Sequence, residues 1–571
     1  MKQKVRLIVS VLLCLLLLTG LAACQPGGDS TKPSPTPTKT GKPSGTTAAP
    51  TGTEAPDPPK TLKVGIRQKA GVENYEDNAL TKYLEEKLNI KLEFDFFSDK
   101  DAITQLSVRM SSPNEKLPDV LFGFSLNLEE VHRFGKEGFL MDLAPYFDNP
   151  DWALAKEYEF HENLRRYAGD DIYNRAMYHL RGPNNEQFSW IYSCASVTEQ
   201  PRVKPFINKK WLEKIGKDIP TSYEELVEVL RLFKTTDCNG NGKQDEIPMV
   251  GSVNIGSCDL VTYIMTNWVY LNHNFKMTVN DEGKLTYPYI TDEYRQGVRA
   301  VRDLVKEELL SNLTWTLKDS SELPPLYTPA DETAVCGIFA CHPLIHLTKD
   351  NPVIFEYEPL PPLKDGYTSL QPLGVGTGCF ITTDCRDFDT AARFFMEFST
   401  LETARRSRYG EKGKDWVETT RPDGSSAVKV LNTAAYGGQT RSTWSLSGPA
   451  VGYYGPDSPW SAYLEPDPKS WTWKQRQLLD DGAKVVLNHA KKMNPKYMFI
   501  GAVYTEKESE ALGTLNVEMY RYANQALAQF ANGILDIDSD ADWNKYVQDL
   551  KNMGLETLLT NTQAAYDRMP K

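Results

Sequence analysis

The sequence predicts an α/β protein of two lobes, and two observations carry that prediction. From residue 62 onward, short alternating apolar runs are interleaved with runs at helical spacing, the rhythm of a layer built on a mainly parallel sheet. Beyond residue 58 no second linker interrupts the globular composition. A chain that crosses between two lobes more than once leaves no compositional seam.

The elements follow in order. Leu62, Val64 and Ile66 share one side of a first strand. Leu80, Tyr83, Leu84, Lys87 and Leu88 recur at helical spacing from Asn78, Asn89 breaks the run, and Ile90, Leu92, Phe94 and Phe96 alternate as a second strand. Val120-Leu121-Phe122 is a third strand after the turn at Pro118, and a helix ends at Gly138. Trp211 to Gly216 spells a short helix closed by glycine. Thr221 with Glu224 predicts a capping box for the next helix, whose buried stripe is Leu226, Val229, Leu230 and Phe233. A strand is expected over 283–287, and amphipathic helices over 292–310 and 388–404. The last stretch is largely helical, with aromatic anchors Tyr520, Phe530, Trp543 and Tyr546.

The start of the chain is of another kind. Lys2, Lys4 and Arg6 precede an apolar run over 7–18, and Leu21-Ala22-Ala23-Cys24 follows. That is a secretory signal over 1–23 with small residues at the cut, too short in its apolar core for a comfortable membrane span. The four residues up to Cys24 resemble the bacterial lipobox, in which the cysteine thiol carries diacylglycerol and palmitate-type chains anchor the protein. Residues 24–58 hold that anchor and a Pro/Thr/Gly linker; positions 25–58 contain no aromatic residue and no Ile, Leu or Val. Such a stretch cannot bury enough apolar surface to offset its ordering entropy, so it is expected to act as an extended tether.

The formal net charge is −12, and loss of the three leader cations leaves −15 on the mature chain. That balance argues against nucleic acid as a partner. Seven cysteines remain past the anchor, an odd number, with Cys336–Cys341 and Cys379–Cys385 merely the nearest pairs. Catalytic signatures are missing: no His-Glu-x-x-His, no Gly-x-Ser-x-Gly elbow and no phosphate-cradling loop occurs. Adjacent carboxylates such as Glu85-Glu86 and Glu224-Glu225 lie side by side on helices and point apart.

The sharpest chemical signal is the segment 237–246, Asp-Cys-Asn-Gly-Asn-Gly-Lys-Gln-Asp-Glu. Oxygen side chains at alternate positions Asp237, Asn239 and Asn241 converge in a tight loop, Gly242 permits the bend, and the Lys243 carbonyl points inward. Calcium takes six to eight such oxygens. Position 12, where an EF-hand places its closing glutamate, is Pro248, so Glu246 is the closing candidate with Asp245 beside it. The alternative is a plain surface turn of Asn, Gly and Asp. Aromatic residues in loop-like contexts, Trp190, Tyr192, Trp268, Tyr270, Trp444, Tyr453 and Trp460, are candidates to stack on the C–H face of a sugar; core packing is the competing use of each.

Several motifs, in this order along the chain, resemble one known family. They are Leu117-Pro118-Asp119-Val120, then Gly138 to Leu143, then Trp211-Leu212 through Pro220-Thr221. The loop ending Asp245-Glu246-Ile247-Pro248, the run Tyr409 to Trp416 and the closing Trp543 to Gly554 complete the set. The chain resembles the extracellular solute-binding lipoproteins of bacterial ABC importers, in the larger sugar-uptake branch with LplA-like and oligosaccharide-binding members. The resemblance implies a periplasmic-binding-protein-like fold, two α/β lobes joined by a hinge, with a sugar or oligosaccharide trapped between them and handed to the permease subunits. It also implies structural Ca2+ held by Asp237, Asn239, Asn241, the Lys243 carbonyl, Asp245 and Glu246. The location implied is the outer face of the cell membrane of a Gram-positive bacterium, with the protein acting as a monomer. Two stretches depart from the family pattern. Gly410-Glu411-Lys412-Gly413 stands where relatives have Gly-Ile-Glu-Gly, and Asp171 to Arg175 replaces a compact Asp-Gly-Lys-Ile-Tyr-Gly.

Lobe 1 is then expected to begin with 59–185, lobe 2 to occupy 186–365, and 366–430 to return through the hinge to lobe 1. Residues 431–571 form a mixed, mostly helical region that contributes to the cleft. A surface polysaccharide-degrading enzyme and a ligand-binding sensor component are the rival readings.

Overall fold

The computed structural model of the chain describes residues 58–569 except positions 70, 73, 113–114, 125, 163–164, 166–169, 171–172, 175–176, 179, 183, 192, 195–200, 273–275, 342–345, 369–374, 377, 433–443, 445–463, 490–498 and 500. Cys24 with its leader and linker lies outside the described residues, as do Tyr192, Tyr453 and Trp460.

Eight strands build two mixed sheets: β1 (Lys60–Gln68), β2 (Ile90–Ser98), β3 (Val120–Phe122), β4 (Pro205–Asn208), β5 (Ile247–Met249), β6 (Cys336–Ala340), β7 (Tyr357–Pro359) and β8 (Cys379–Ile381). The lobe 1 sheet has the order β8-β3-β1-β2. In it β1 is parallel to both β2 and β3, with Val64 opposite Phe94 and Val120, while β8 runs antiparallel to β3. The lobe 2 sheet has the order β7-β4-β6-β5, with β5 and β6 parallel and the other pairs antiparallel.

Side-chain alternation splits the lobe 1 core into two layers. Leu62, Val64, Ile66 and Phe122 pack on one face with Phe394, Phe395 and Phe398, and Phe97, Leu121 and Phe380 fill the other. Gly65 lies on the second face, where a Cβ would stand 2.6 Å from Pro118 Cγ, so only glycine fits there. In lobe 2, every residue of β4 and β6 is buried, as in a sheet covered on both sides.

The helices that matter here are α1 (Ala79–Leu88), α2 (Leu128–Lys136), α3 (Lys209–Ile215), α4 (Tyr223–Thr235), α5 (Leu260–Met265), α6 (Asp292–Lys306), α7 (Phe388–Glu397), α8 (Leu401–Tyr409) and α9 (Trp471–Leu487). Near the end of the chain come α10 (Glu506–Leu512), α11 (Leu515–Ala531), α12 (Asp540–Met553) and α13 (Leu555–Asp567). Asn78 caps α1 through the Leu80 amide, and Asn89 ends it in the left-handed region at φ 50°. Gly216 ends α3 the same way at φ 65°.

Three elements differ from the sequence expectation. The capping box of α4 is Ser222 with Glu225, one residue later than the Thr221–Glu224 pair, because Ser222 takes the extended conformation and accepts from the Glu225 amide. Thr221 still bonds the Glu225 carboxylate through its amide and hydroxyl. The single helix over 388–404 is two, α7 and α8. Ser399 Oγ bonds the Met396 carbonyl and Thr400 Oγ1 the Glu397 carbonyl, and Thr400 then caps α8. The long helix over 292–310 stops at Lys306, and Leu309 and Leu310 turn back onto the Leu304 carbonyl. Cys238, Cys258, Cys336, Cys341, Cys379 and Cys385 are all free thiols, so neither near-neighbour pair is bridged.

Candidate functional site: the interlobe face and the acidic loop

Sheet register locates the face between the lobes. The C-terminal ends of β1 and β2 meet at Gln68 and Ser98. At the same end, Phe122 of β3 pairs with Cys379, the first residue of β8. In lobe 2, Ala340 at the end of β6 pairs with Pro205, the first residue of β4, and β7 ends beside Phe206. The chain passes between the sheets just before β4 and just before β8, so both sheets turn their parallel strand ends toward the crossing segments. Open α/β sheets bind ligands outside those ends. The crossing segments themselves pair antiparallel, Ser193 with Gly376 and Cys194 with Val375. A further passage follows Leu464, which bridges to Val428 of the hairpin 416–430. Helix α9 then packs on β7 of lobe 2.

The Leu-Pro-Asp-Val motif acquires a structural role at the opposite end of lobe 1. Asp119 is 4% exposed and accepts from the Lys63 amide at 2.7 Å, the Arg386 amide at 3.1 Å and Arg386 Nη2 at 2.8 Å. Thr382 Oγ1 donates to the Pro118 carbonyl at 2.7 Å, and Asp384 accepts from the Leu117 amide. The motif therefore fastens the returning strand β8 to lobe 1. Burial alone would raise the Asp119 pKa, but the Arg386 guanidinium and the two amides hold it below the usual carboxylate range.

Among the described residues, the candidate aromatics Trp190, Trp268, Tyr270 and Trp444 are not gathered at one place. Trp190 is fully buried, packed against Phe147, Trp152, Phe160 and Phe395 with ring centroids 5.2–6.2 Å apart. No face of its indole reaches solvent in this conformation, the core-packing use of the two the sequence offers. Trp444 is also buried, set edge-on to Phe94 and Phe122, with Nε1 donating to Thr81 Oγ1 at 2.9 Å. Tyr270 is buried in lobe 2 beside Tyr367. Trp268 is half-buried, edge-on to Tyr223 at 5.1 Å. Sequence reasoning missed Phe96. Its alternation with Phe94 marked it as strand core, yet it is 39% exposed at the crossing-facing end of β2. The doublet Phe96-Phe97 was the available signal, since adjacent residues on a strand face opposite ways and this edge strand has one core face to fill at that height.

A cavity of about 610 Å³ lies between α2 of lobe 1 and residues 502–513. Arg133 and Lys136 line one wall and Glu506 and Glu510 the other. His132 also lines it, with both ring nitrogens buried and unpartnered, and burial pushes its pKa down.

The acidic loop connects α4 to β5 on lobe 2. Asp237 accepts from the Gly240 and Gly242 amides at 2.8 and 3.1 Å, with both glycines at φ 76°. Only glycine adopts that conformation without strain. Asn239 Nδ2 and Asn241 Nδ2 donate to Asp245 at 3.0 and 3.1 Å, and these bonds hold the Asp245 carboxyl below its ordinary pKa. The Asn239 amide donates to Glu246 Oε1 at 3.3 Å, while Glu246 Oε2 is buried without a partner. Among the described residues no group of three or more His, Cys, Asp or Glu is gathered to hold a metal ion. What the loop offers is a dispersed set of oxygens: the carboxylates of Asp237, Asp245 and Glu246, the Asn239 and Asn241 side-chain amides and the Lys243 carbonyl. A half-turn of each amide presents Oδ1 in place of Nδ2, and the orphaned Glu246 oxygen lacks a positive partner. A hard cation fits this set.

No family model matches the chain. Among curated proteins it is similar to the fructooligosaccharide ABC transporter substrate-binding protein FusA of Streptococcus pneumoniae, 20% identical over 469 residues, covering 79% of this chain and 80% of FusA. It is 26% identical to lipoprotein LipO of Bacillus subtilis over 133 residues, 23% of this chain and 26% of LipO. Among solved structures, FusA in complex with kestose superposes with a TM-score of 0.68 at 19% identity, over 89% of this chain and 99% of that one. An EF-hand mutant of FusA with fructo-nystose gives 0.66 at 19% identity, over 89% and 99%. Alginate-binding protein AlgQ2 without calcium ion gives 0.60 at 19% identity, over 90% and 99%. With its two mixed sheets facing paired crossing segments, the chain has the fold of the substrate-binding proteins of ABC transporters.

Proposed function

We propose that the protein captures a sugar or oligosaccharide outside the cell and delivers it to an ABC import permease, without chemical change to the sugar. The observation that carries this reading is the convergence of both sheets' strand ends on the paired crossing segments, in a chain alike to FusA over nearly its whole length. Two lobes linked by short antiparallel segments shut around a solute by hinge rotation, and the closed form is what a permease distinguishes from the empty one. Cys24 is the lipid attachment point, and the linker over 25–58 lets the folded body reach its partner in the membrane.

Calcium belongs to the same proposal. Asp237, Asn239, Asn241, the Lys243 carbonyl, Asp245 and Glu246 would hold it, and the ion's contribution would be to offset the loop's negative charge. The residues themselves clamp the exit of α4 onto β5. Ile247, immediately after the loop, bonds the Val335 carbonyl at 2.8 Å, so order in the loop is passed to the edge of the lobe 2 sheet.

The test is calorimetric titration of the calcium-loaded protein with kestose, nystose, maltotriose, cellotriose and an alginate trisaccharide, followed by chromatography of the recovered sugar. Micromolar or tighter binding with intact sugar is expected. Turnover of any of them would make the protein an enzyme.

A further inference from the structure

We infer that Phe96 forms a stacking platform for one hexose ring of the bound oligosaccharide, a proposal that rests on the sugar-capture reading above. Two of the large apolar side chains exposed among the described residues are aromatic, Phe96 at 39% and Phe355 at 41%. Phe355 lies just before β7, whose first residue Tyr357 pairs with Asn208, at the end of the lobe 2 sheet away from the crossing. Phe96 lies two residues before the end of β2, at the end of the lobe 1 sheet that faces the crossing.

The ring is also held in a fixed attitude. Tyr75 meets it edge-on, with centroids 5.0 Å apart and planes at 71°, and Phe94 runs nearly parallel to it at 6.1 Å and 18°. Tyr75 is in turn edge-on to Phe94 and anchored through its hydroxyl, which accepts from the Lys69 amide at 2.7 Å. An exposed ring locked by two others presents a flat apolar surface at no further ordering cost, as a platform for a sugar's C–H face requires.

Polar groups lie at the same end of the sheet. Lys69 Nζ bonds Asp99 Oδ1 at 2.5 Å, and Arg67 Nη2 bonds the Asp99 backbone carbonyl at 2.7 Å and lies 3.1 Å from Asp99 Oδ1. Two cations thus share one carboxylate just past the ends of β1 and β2. Arrangements of this kind satisfy hydroxyls while the ring takes the apolar face. The ligand class is therefore an oligosaccharide with at least one hexose ring whose axial C–H bonds lie on one face.

Phe96→Ala, Phe96→Leu and Phe96→Trp test this with the same five oligosaccharides. Phe96→Ala is expected to weaken the best-bound sugar by about 10- to 100-fold. Phe96→Leu, which keeps apolar volume but no π-face, should lose most of that affinity. Phe96→Trp should retain binding and show a shift in indole emission that the wild-type protein lacks. All three should remain folded, with Phe96→Ala melting somewhat lower because it gives up the packing on Tyr75 and Phe94. Affinity equal to wild type in Phe96→Ala overturns the platform and leaves sugar capture standing. Absence of binding to the wild-type protein by every probe overturns both.

Discussion

Cys194 and Val375 are antiparallel partners, although 180 positions separate them in the chain, and their neighbours Ser193 and Gly376 pair in the same ladder. Two residues on each side make a small ladder, flanked by the much longer pairing of β1 with β2. A joint this short opens at low cost, while the sheets on either side resist opening.

Hydrogen exchange should expose that contrast. Amides over 193–194 and 375–376 are expected to exchange well ahead of those of Val64 and Ile338 in the sheet centres, and to slow when sugar binds. Equal protection in the free protein would mean that the joint does not flex.

Removing calcium with a chelator should lower the melting temperature, and Asp237→Ala or Asp245→Ala should abolish the difference between calcium and chelator. A site filled at 100 times its dissociation constant contributes about 2.7 kcal/mol. For a folded body of this size that corresponds to roughly 2–3 °C. Melting curves that do not respond to calcium would return the loop to the status of an ordinary turn.

Asp119→Ala should destabilise lobe 1 by about 1–3 kcal/mol, because it leaves the Lys63 and Arg386 amides without their acceptor. The pH dependence follows from the sign of the shift. The folded-state pKa of Asp119 is depressed below that of the unfolded chain, so its stabilisation is present above about pH 4 and is lost as pH falls through the folded value. The wild type should therefore lose stability in acid more steeply than Asp119→Asn. Parallel acid profiles from urea melts would contradict this.

The thiols should be inert in the native protein. Burial raises the Cys258 pKa to about 12 and those of Cys238 and Cys385 to about 11, and it pushes Cys336, Cys341 and Cys379 up as well. At neutral pH the thiolate that reacts is about one part in ten thousand even at Cys238. Ellman's reagent should find these six cysteines only after unfolding, without prior reduction. A requirement for reductant would show a disulfide.

Much of this architecture is legible in local pattern because local physics decides it. Alternation at Leu62, Val64 and Ile66 and the helical run closed by Asn89 describe β1 and α1 because burial has one periodicity on a strand and another on a helix. What pattern cannot report is the third dimension. Trp190 looks like an available ring in sequence and is core because four distant aromatic residues converge on it. Phe96 looks like core and is exposed near the end of an edge strand. The acidic loop is legible as a donor list, since spacing alone sets which oxygens a tight loop can gather, whereas the capping box slipped by one residue because Thr221 and Ser222 are both competent caps.

Small-angle X-ray scattering, with and without the best-bound oligosaccharide, addresses capture by closure most directly. The account predicts a smaller radius of gyration with sugar present, reversed on dialysis, and sugar recovered unaltered. A radius that does not change at saturating sugar would contradict it.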